Sequence, residues 1–393
     1  MSSGRHLLVT NDFPPKIGGI QNYLWELWKR LDPGTVYVLT ASSDPNAQRF
    51  DEAQRATGFS IERIPRSTLF FPTKKNRRAI EEIVARVDPD VVIVDPAFPL
   101  GRVLRHVDRP GVTIVHGAEL TIPRRLPFAK GELNRTMSHC AGVIAAGPYP
   151  RHQVERLGLR REPAILEIPP GVDTKRFVPL ALRERLELRQ ALGIADDAFV
   201  VTSVSRLVPR KGMETLIQAS VLAARAVPSL KVLIGGTGRE EASLAKLISR
   251  SNAPVTMVGR VEDEVLPGLL GASDLFVMAC RSRWGGLEEE GFGIVFLEAA
   301  AVGIPQIAGK SGGSADAVVD GETGVVLDNA RDPEQLAREI VALAQDPARR
   351  TALGGAARLR AVASFDYDVL ANRLKEALAS GWPQHEGGSP SDV

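Results

Sequence analysis

Three cations, Arg206, Arg210 and Lys211, crowd the segment Ser205-Arg-Leu-Val-Pro-Arg-Lys-Gly-Met-Glu-Thr-Leu216. Arginine offers a planar fork to phosphate oxygens and lysine a mobile point charge, a combination suited to a diphosphate. A second segment, Arg281-Ser-Arg-Trp-Gly-Gly-Leu-Glu-Glu-Glu-Gly-Phe-Gly-Ile-Val-Phe-Leu-Glu-Ala-Ala300, holds Glu290 and Glu298 with seven residues between them. A helix starting near Phe292 or Gly293 would aim its free N–H groups at a phosphate or a sugar. Glu298, about one and a half turns further on, would face the same side and could accept both hydroxyls of a ribose. Glu290, just before the helix, could accept sugar hydroxyls, whereas Glu288 and Glu289 read as a solvated acidic run. The third segment, Thr10-Asn-Asp-Phe-Pro-Pro-Lys-Ile-Gly-Gly-Ile-Gln-Asn22, places Gly18 and Gly19 where backbone amides can approach an anion at a helix start. It is not the dinucleotide fingerprint Gly-x-Gly-x-x-Gly, which occurs at no strand end here; a nicotinamide dehydrogenase is therefore disfavoured.

These groups need elements to hold them, and the hydrophobic pattern supplies two sets. Leu7–Thr10, Val36–Thr40, Val91–Val94, Thr113–His116 and Gly142–Ala146 look like strands buried on both faces, with amphipathic helical spacing over Tyr23–Leu31 and Arg78–Val87. Phe199–Ser203, Leu230–Gly235, Val255–Val258, Leu275–Ala279 and Gln306–Ala308 repeat the theme, alternating with helices such as Met213–Val227 and Pro333–Ala344. Alternating strand and helix means parallel sheets with right-handed crossovers, hence an α/β class. The Pro- and Gly-rich stretch Ile168–Leu180 separates the two sets. Doubly wound halves bind ligands beyond the carboxyl ends of their strands, so a cleft between two such halves is the expected site. The expected organisation is a Rossmann-like domain over 1–175, a second over 176–364, a helix over 365–382 returning to the first, and a disordered tail over 383–393.

The bulk properties agree with two ordinary cores. A chain of 393 residues, 44% hydrophobic and 24% charged, is globular and fits two domains. Its two cysteines, Cys140 and Cys280, lie in apolar stretches and read as buried thiols in a reducing cytosol. No run approaches the roughly 20 apolar residues that cross a bilayer, and Met1–Thr10 lacks a signal-peptide core. Residues 1–175 carry 25 Lys/Arg against 19 Asp/Glu, and the remainder 24 against 28, so a first half at +6 faces a second at −4. A basic first half suits an anionic partner. The near balance overall, without a recognition motif, disfavours nucleic acid.

Together with Ile168-Pro-Pro-Gly-Val-Asp-Thr-Lys-Arg-Phe177 and Ile307-Ala-Gly-Lys-Ser-Gly-Gly313, the segments Ser205–Leu216 and Arg281–Ala300 resemble the retaining glycosyltransferases of family 4. Those enzymes have the GT-B fold, two Rossmann-like domains facing across a cleft, and the resemblance covers nearly the whole chain. More narrowly, Asn11-Asp-Phe-Pro-Pro15, Gly18-Gly-Ile-Gln21, Ser205–Gly212 and Glu290–Glu298 resemble the actinobacterial phosphatidylinositol mannoside mannosyltransferases that use GDP-mannose. The resemblance implies that Arg206 and Lys211 hold the diphosphate, with Gly18 and Gly19 nearby. It implies that Glu298 holds the ribose, and that Glu290 and the amides around Phe292, Gly293 and Ile294 hold the donor. His116, of His116-Gly-Ala-Glu119, matches the family's active-site histidine, and Gly259 and Arg260 fall in the base-binding loop. It further implies a retaining, metal-independent transfer in which the leaving phosphate assists the incoming hydroxyl.

This chain departs from the family pattern at His116-Gly-Ala-Glu119, where the relatives have His-Gly-His-Glu, at Ser311-Gly-Gly-Ser-Ala-Asp316 and at Gly147-Pro-Tyr-Pro150. Asp88-Pro-Asp90 has the spacing of a metal motif but precedes a strand, where it reads as a helix stop. Leu69, Phe70 and Phe71 beside Lys74, Lys75, Arg77 and Arg78 suggest peripheral docking on the anionic inner face of the plasma membrane. The expected function is transfer of α-mannose from GDP-mannose to a phosphatidylinositol mannoside. Alternatives are a UDP-sugar donor, a soluble or glycan acceptor, a sugar-nucleotide epimerase, and a non-catalytic binder.

Overall fold

A computed structural model of the chain describes residues 4–42, 44–65, 68–285, 288–380 and 382; the tail expected to be disordered lies outside them. The chain divides into two compact units, one running to Pro170 and taking in the chain from Tyr367, the other Gly171–Asp366. Among the described residues, no helix is long and apolar enough to cross a membrane.

The first unit is built on seven strands: β1 (His6–Thr10), β2 (Val36–Ser42), β3 (Ser60–Pro65), β4 (Val91–Asp95), β5 (Gly111–Val115), β6 (Gly142–Ala145) and β7 (Ala164–Glu167). All pair in parallel, in the order β3-β2-β1-β4-β5-β6-β7. Continuous apolar runs such as Val91–Val94 form the central strands because both faces of the sheet are covered. Successive residues alternate between the two coverings: Leu8, Val36, Val38, Val91 and Ile93 pack on one side, and Leu7, Val9, Leu39, Val92 and Val94 on the other. Edge strands β3 and β7 are partly exposed and carry polar residues, so they escape an apolar-run reading.

The helix Tyr367–Ala379 packs its Leu370, Ala371, Leu374 and Leu378 into the same cluster as Leu24, Leu27 and Trp28 of the helix Gly19–Trp28. Arg30 to Asp368 at 2.6 Å and Lys375 to Asp32 at 2.9 Å pin it there. Trp382 follows, fully buried, against Gly142; any Cβ at that glycine would lie 1.6 Å from the indole nitrogen.

The second unit holds β8 (Phe199–Val204), β9 (Leu230–Gly235), β10 (Val255–Gly259), β11 (Leu275–Met278), β12 (Gln306–Gly309) and β13 (Gly324–Leu327). They too are parallel, in the order β10-β9-β8-β11-β12-β13. In both sheets the winding reverses once, between β1 and β4 and between β8 and β11. A crevice opens at such a switch point on the carboxyl side. Asp274 locks the base of the second sheet, accepting from Arg185 at 2.6 Å, from Arg189 at 2.7 Å and from the Val200 amide at 2.8 Å.

One sequence expectation changes, at Leu69, and one holds, the helix stop at Asp88. Leu69 does not belong to an exposed apolar patch: it is buried beside Ile80 and Ile83, because Asn11 accepts the Leu69 amide at 3.1 Å and turns the side chain inward. Asp88 takes a left-handed conformation (φ 51°) as the stop of helix Lys74–Val87, and its carboxylate is bonded to Arg109. Removing the last anchor should show how much the returning chain stabilises its unit. Trp382→Ala is expected to lower unfolding free energy by about 3–5 kcal/mol in denaturant titrations.

Candidate functional site

At the switch point of the second unit, β8 runs into a short 3₁₀ turn, Pro209–Lys211, and then Gly212. Gly212 has φ 72°, and a Cβ there would stand 2.0 Å from the Ala279 carbonyl oxygen. Only glycine allows both, so the turn presses against the end of β11. That brings Lys211, itself buried, to the segment after β11: its Nζ lies 2.7 Å from Glu290 Oε2. Arg210 reaches the same carboxylate oxygen at 3.4 Å. Glu288 is held by Arg283 at 2.9 Å, a more specific setting than a freely solvated acidic run.

Glu290 is supported from below by the loop after β12. Its amide donates to Ser311 Oγ at 3.2 Å and its carbonyl accepts from Gly313 at 3.0 Å. Side chains at Gly312 or Gly313 would lie 2.1 and 2.2 Å from the carbonyl oxygens of Glu290 and Gly291. Gly293 (φ 83°) then begins the helix Ile294–Ala301, with no side chain capping it. The first N–H groups of that helix, with those of Phe292 and Gly293 before it, lack helical acceptors. Cations, amides and the helix start thus converge where an anionic group would be held.

Arg206, after β8, is exposed, and among the described residues no ion pair engages its guanidinium. Glu298 lies in the second turn of the helix, partly buried, with no side-chain hydrogen bond among the described residues. Burial pushes its carboxyl up to about 7, with Arg176 opposing and Asp263 adding to the rise. Gly259 (φ 69°) closes β10, its carbonyl accepting the Gly236 amide at 2.6 Å. Arg260 beside it is exposed and pairs with Glu262 at 3.0 Å. Lys211 and Glu290 are therefore in direct contact, whereas Arg206, Gly259 and Arg260 lie at or just past carboxyl ends of strands in the same sheet and Glu298 lies in the second turn of the helix that follows β11.

His116, Gly18 and Gly19 belong to the first unit. Gly18 and Gly19 are exposed at an uncapped helix start, and the loop before them is organised by Asp12, which accepts from Lys16 and Gln21 at 2.6 Å each. His116 stands at the end of β5 with its ring Nε2 2.8 Å from Asp95 Oδ1. Asp95, buried at the end of β4, also accepts from Thr10 Oγ1 at 2.8 Å, and Thr10 in turn accepts the Asp12 amide at 2.9 Å. Glu119 accepts the amides of His116 and Gly117. Burial alone would lower the pKa of His116, but the charge and hydrogen bond of Asp95, with Glu119 and Asp12, outweigh it and raise the value. Sequence reasoning missed Asp95. The signal was a carboxylate closing the apolar run Val91–Val94, in register with Thr10 at the switch point.

Two doubly wound units with cations and a glycine-led helix start at the strand ends define a GT-B glycosyltransferase. The profile described as "Glycosyltransferase Family 4" matches residues 17–176, and "Glycosyl transferases group 1" matches 184–360. The fold is that of Anabaena HepE solved with UDP (TM-score 0.80, 22% identity, 96% of this chain and 100% of that one). It is also that of WaaG, a glycosyltransferase of lipopolysaccharide biosynthesis (TM-score 0.67, 17% identity, 95% and 99%). A Corynebacterium glutamicum protein, a GDP-mannose-dependent monoacylated alpha-(1-6)-phosphatidylinositol monomannoside mannosyltransferase, is 35% identical over 96% of this chain and 99% of its own. The Mycobacterium tuberculosis GDP-mannose-dependent alpha-(1-6)-phosphatidylinositol monomannoside mannosyltransferase is 37% identical over 95% and 98%. The chain belongs to this family of phosphatidylinositol monomannoside mannosyltransferases, which are hexosyltransferases.

The Asp95–His116 pair carries a signed prediction. In Asp95→Asn the burial penalty on His116 stays and its chief compensation goes, so the histidine pKa should fall, as read by NMR titration of the ring. A histidine whose pKa is raised on folding stabilises the fold most when protonated. The stability gap between native and variant protein should be widest below about pH 6.5 and narrow as pH climbs through the raised value.

Proposed function

We propose that the chain transfers α-mannose from GDP-mannose to a phosphatidylinositol mannoside lipid, with retention and without a metal. The observation that carries the reading is the Lys211–Glu290 contact, flanked by Arg210 and the open helix start at Gly293, in a chain similar along nearly its whole length to relatives of that name. In this reading the second unit takes the donor and the first the acceptor. Arg206 and Lys211 hold the diphosphate, Glu298 the ribose hydroxyls, and Gly259 and Arg260 the base. Glu290 accepts from hydroxyls of the mannose ring, and the amides of Phe292, Gly293 and Ile294 donate to the donor beside it. Gly18 and Gly19 offer further amides, and His116, oriented by Asp95, meets the reacting sugar.

The bond from the anomeric carbon to the β-phosphate oxygen breaks as negative charge grows on the diphosphate. Fixed cations and amides stabilise that charge without rearranging. The acceptor hydroxyl attacks from the face the phosphate leaves, and its proton passes to a phosphate oxygen. A lipid acceptor places the protein at the cytoplasmic face of the plasma membrane. Phe70 and Phe71, stacked edge to face at 4.9 Å and exposed, with Lys74 and Lys75, fit such contact. Arg77 and Arg78 spend part of their charge on Glu81 and Glu82.

The test is turnover with a panel of GDP-, UDP- and ADP-sugars over membrane lipid extract. GDP-mannose should give a mannosylated lipid with the anomeric configuration kept. Turnover with UDP-glucose instead would overturn the donor assignment while leaving the fold as described. Arg206→Ala should lower kcat/KM by about a hundredfold or more, since it removes charge stabilisation at the leaving group. A carboxyl titrating at about 7 also predicts pH-dependent donor binding. Ionised Glu298 accepts both ribose hydroxyls and its protonated form does not, so GDP affinity should climb by up to about tenfold from pH 6 to 8. Calorimetry should find that slope flattened in Glu298→Gln.

A further inference from the structure

One large aromatic side chain of the second unit is left in solvent close to the Lys211–Glu290 contact. Of the four tryptophans, Trp28 and Trp382 are 0% and 1% exposed and Trp25 is half-buried, whereas Trp284 is 65% exposed. Its backbone is strained as well: φ is 49°, in the left-handed region where a bulky residue is an outlier. Strain of that kind persists only where the surroundings enforce it, and it gathers at functional sites. The enforcement is visible on the residue before it. Arg283 and Glu288 exchange both backbone hydrogen bonds, at 2.9 and 3.3 Å, and their side chains pair at 2.9 Å.

The stretch that bears the ring is fastened to the site. The Arg281 amide donates to the Arg210 carbonyl at 2.8 Å, and its Nε donates to the Pro209 carbonyl at 3.1 Å. Ser282 Oγ donates to Glu289 at 3.0 Å and lies 3.3 Å from Ser311 Oγ, the group that holds the Glu290 amide. From the ring a chain of contacts runs inward. The Arg283 guanidinium lies over it, 4.6 Å from its centre, and pairs with Glu288; Arg210 then reaches Glu288 at 4.0 Å and Glu290 at 3.4 Å. Each cation in that chain meets a carboxylate, and Arg281 faces Glu214 at 3.4 Å. A fixed aromatic ring beside polar groups whose charges already cancel suits a neutral, hydroxyl-rich ligand better than a second phosphate.

We propose that Trp284 is the stacking platform for the hexose ring of the nucleotide sugar, and so a specificity-determining residue of the donor site. The proposal rests on the reading of the second unit as the donor unit, with Glu290 at the sugar. The face of an indole is the negative side of its quadrupole and attracts the aligned C–H bonds on one face of a pyranose. Hydroxyls around the edge of that pyranose are left to carboxylates and amides. Held in place before the ligand arrives, the ring loses little freedom on binding. Trp284 therefore reads the sugar, while base and diphosphate are read elsewhere in the unit.

The test is calorimetry of the full chain with GDP and GDP-mannose, and with UDP and UDP-glucose as a parallel pair. Trp284→Gly removes the ring at a φ that glycine adopts freely, so the variant should melt at or above the native temperature. It should bind the nucleotide sugar about fivefold more weakly, the worth of one aromatic contact, and the bare nucleotide as the native chain does. Trp284→Phe, which retains a ring, should keep most of the native affinity. A second readout needs no turnover. As the most exposed tryptophan, Trp284 should dominate acrylamide quenching of the native emission; nucleotide sugar should shield it and bare nucleotide should not. That shielding should vanish in Trp284→Phe. A folded Trp284→Gly protein that binds both ligands as the native chain does would overturn the platform. So would an equal loss for sugar-bearing and bare nucleotide, or an effect confined to the KM of the acceptor. Failure of the donor reading looks different: the native chain binds the UDP pair in place of the GDP pair, and the same comparison then decides the role of Trp284 on that pair.

Discussion

An ammonium and a carboxylate 2.7 Å apart, both almost shut off from water, are the constraint around which the second unit is arranged. Such a pair adds little net stability, because desolvation offsets its attraction, yet removing one partner strands the other at a cost of about 3–5 kcal/mol. The surroundings are shaped to keep it. Gly212 lets the lysine-bearing turn touch the end of β11, and Gly312 and Gly313 let the loop after β12 slide beneath Glu290. The lysine is thereby held in place at the open end of a helix, already desolvated, before any phosphate arrives.

The first unit solves a related problem with a buried acid. Asp95 connects three strand ends, receiving Thr10 from β1 and facing His116 just past β5. Through Thr10 it also fixes the Asp12 amide, and hence the loop that leads to Gly18 and Gly19. Both arrangements sit where the winding of a parallel sheet reverses. There the topology leaves strand ends uncovered, and side chains at those ends must satisfy one another or a ligand.

Much of this was legible in the chain because the relevant signals are local. The central strands announce themselves as unbroken apolar runs, and Gly293 marks the helix start within a residue of where Phe292-Gly293 placed it. Lys211 and Glu290 could be named from residue type and spacing, but their contact could not: 79 positions separate them, and the β8–β11 pairing brings their loops together. Edge strands β3, β7 and β13 were silent, being short, partly exposed or mixed in polarity. Asp95 closes the apolar run Val91–Val94, and the β1–β4 register that sets it beside Thr10 is not written in the local sequence. Leu69, adjacent to two exposed phenylalanines, faces inward for a reason that lies 58 residues away, at Asn11.

The central claim is that Lys211 is a preset diphosphate ligand and Glu290 its resting partner. Calorimetry of GDP and GMP binding to native protein, Lys211→Met and Glu290→Gln addresses it directly. The account predicts a loss of about tenfold or more in GDP affinity for Lys211→Met, the worth of one charge-assisted hydrogen bond, with GMP little affected. For Glu290→Gln it predicts GDP affinity equal to or tighter than native, because the lysine is released. Folded Lys211→Met protein that binds GDP as the native chain does would contradict it.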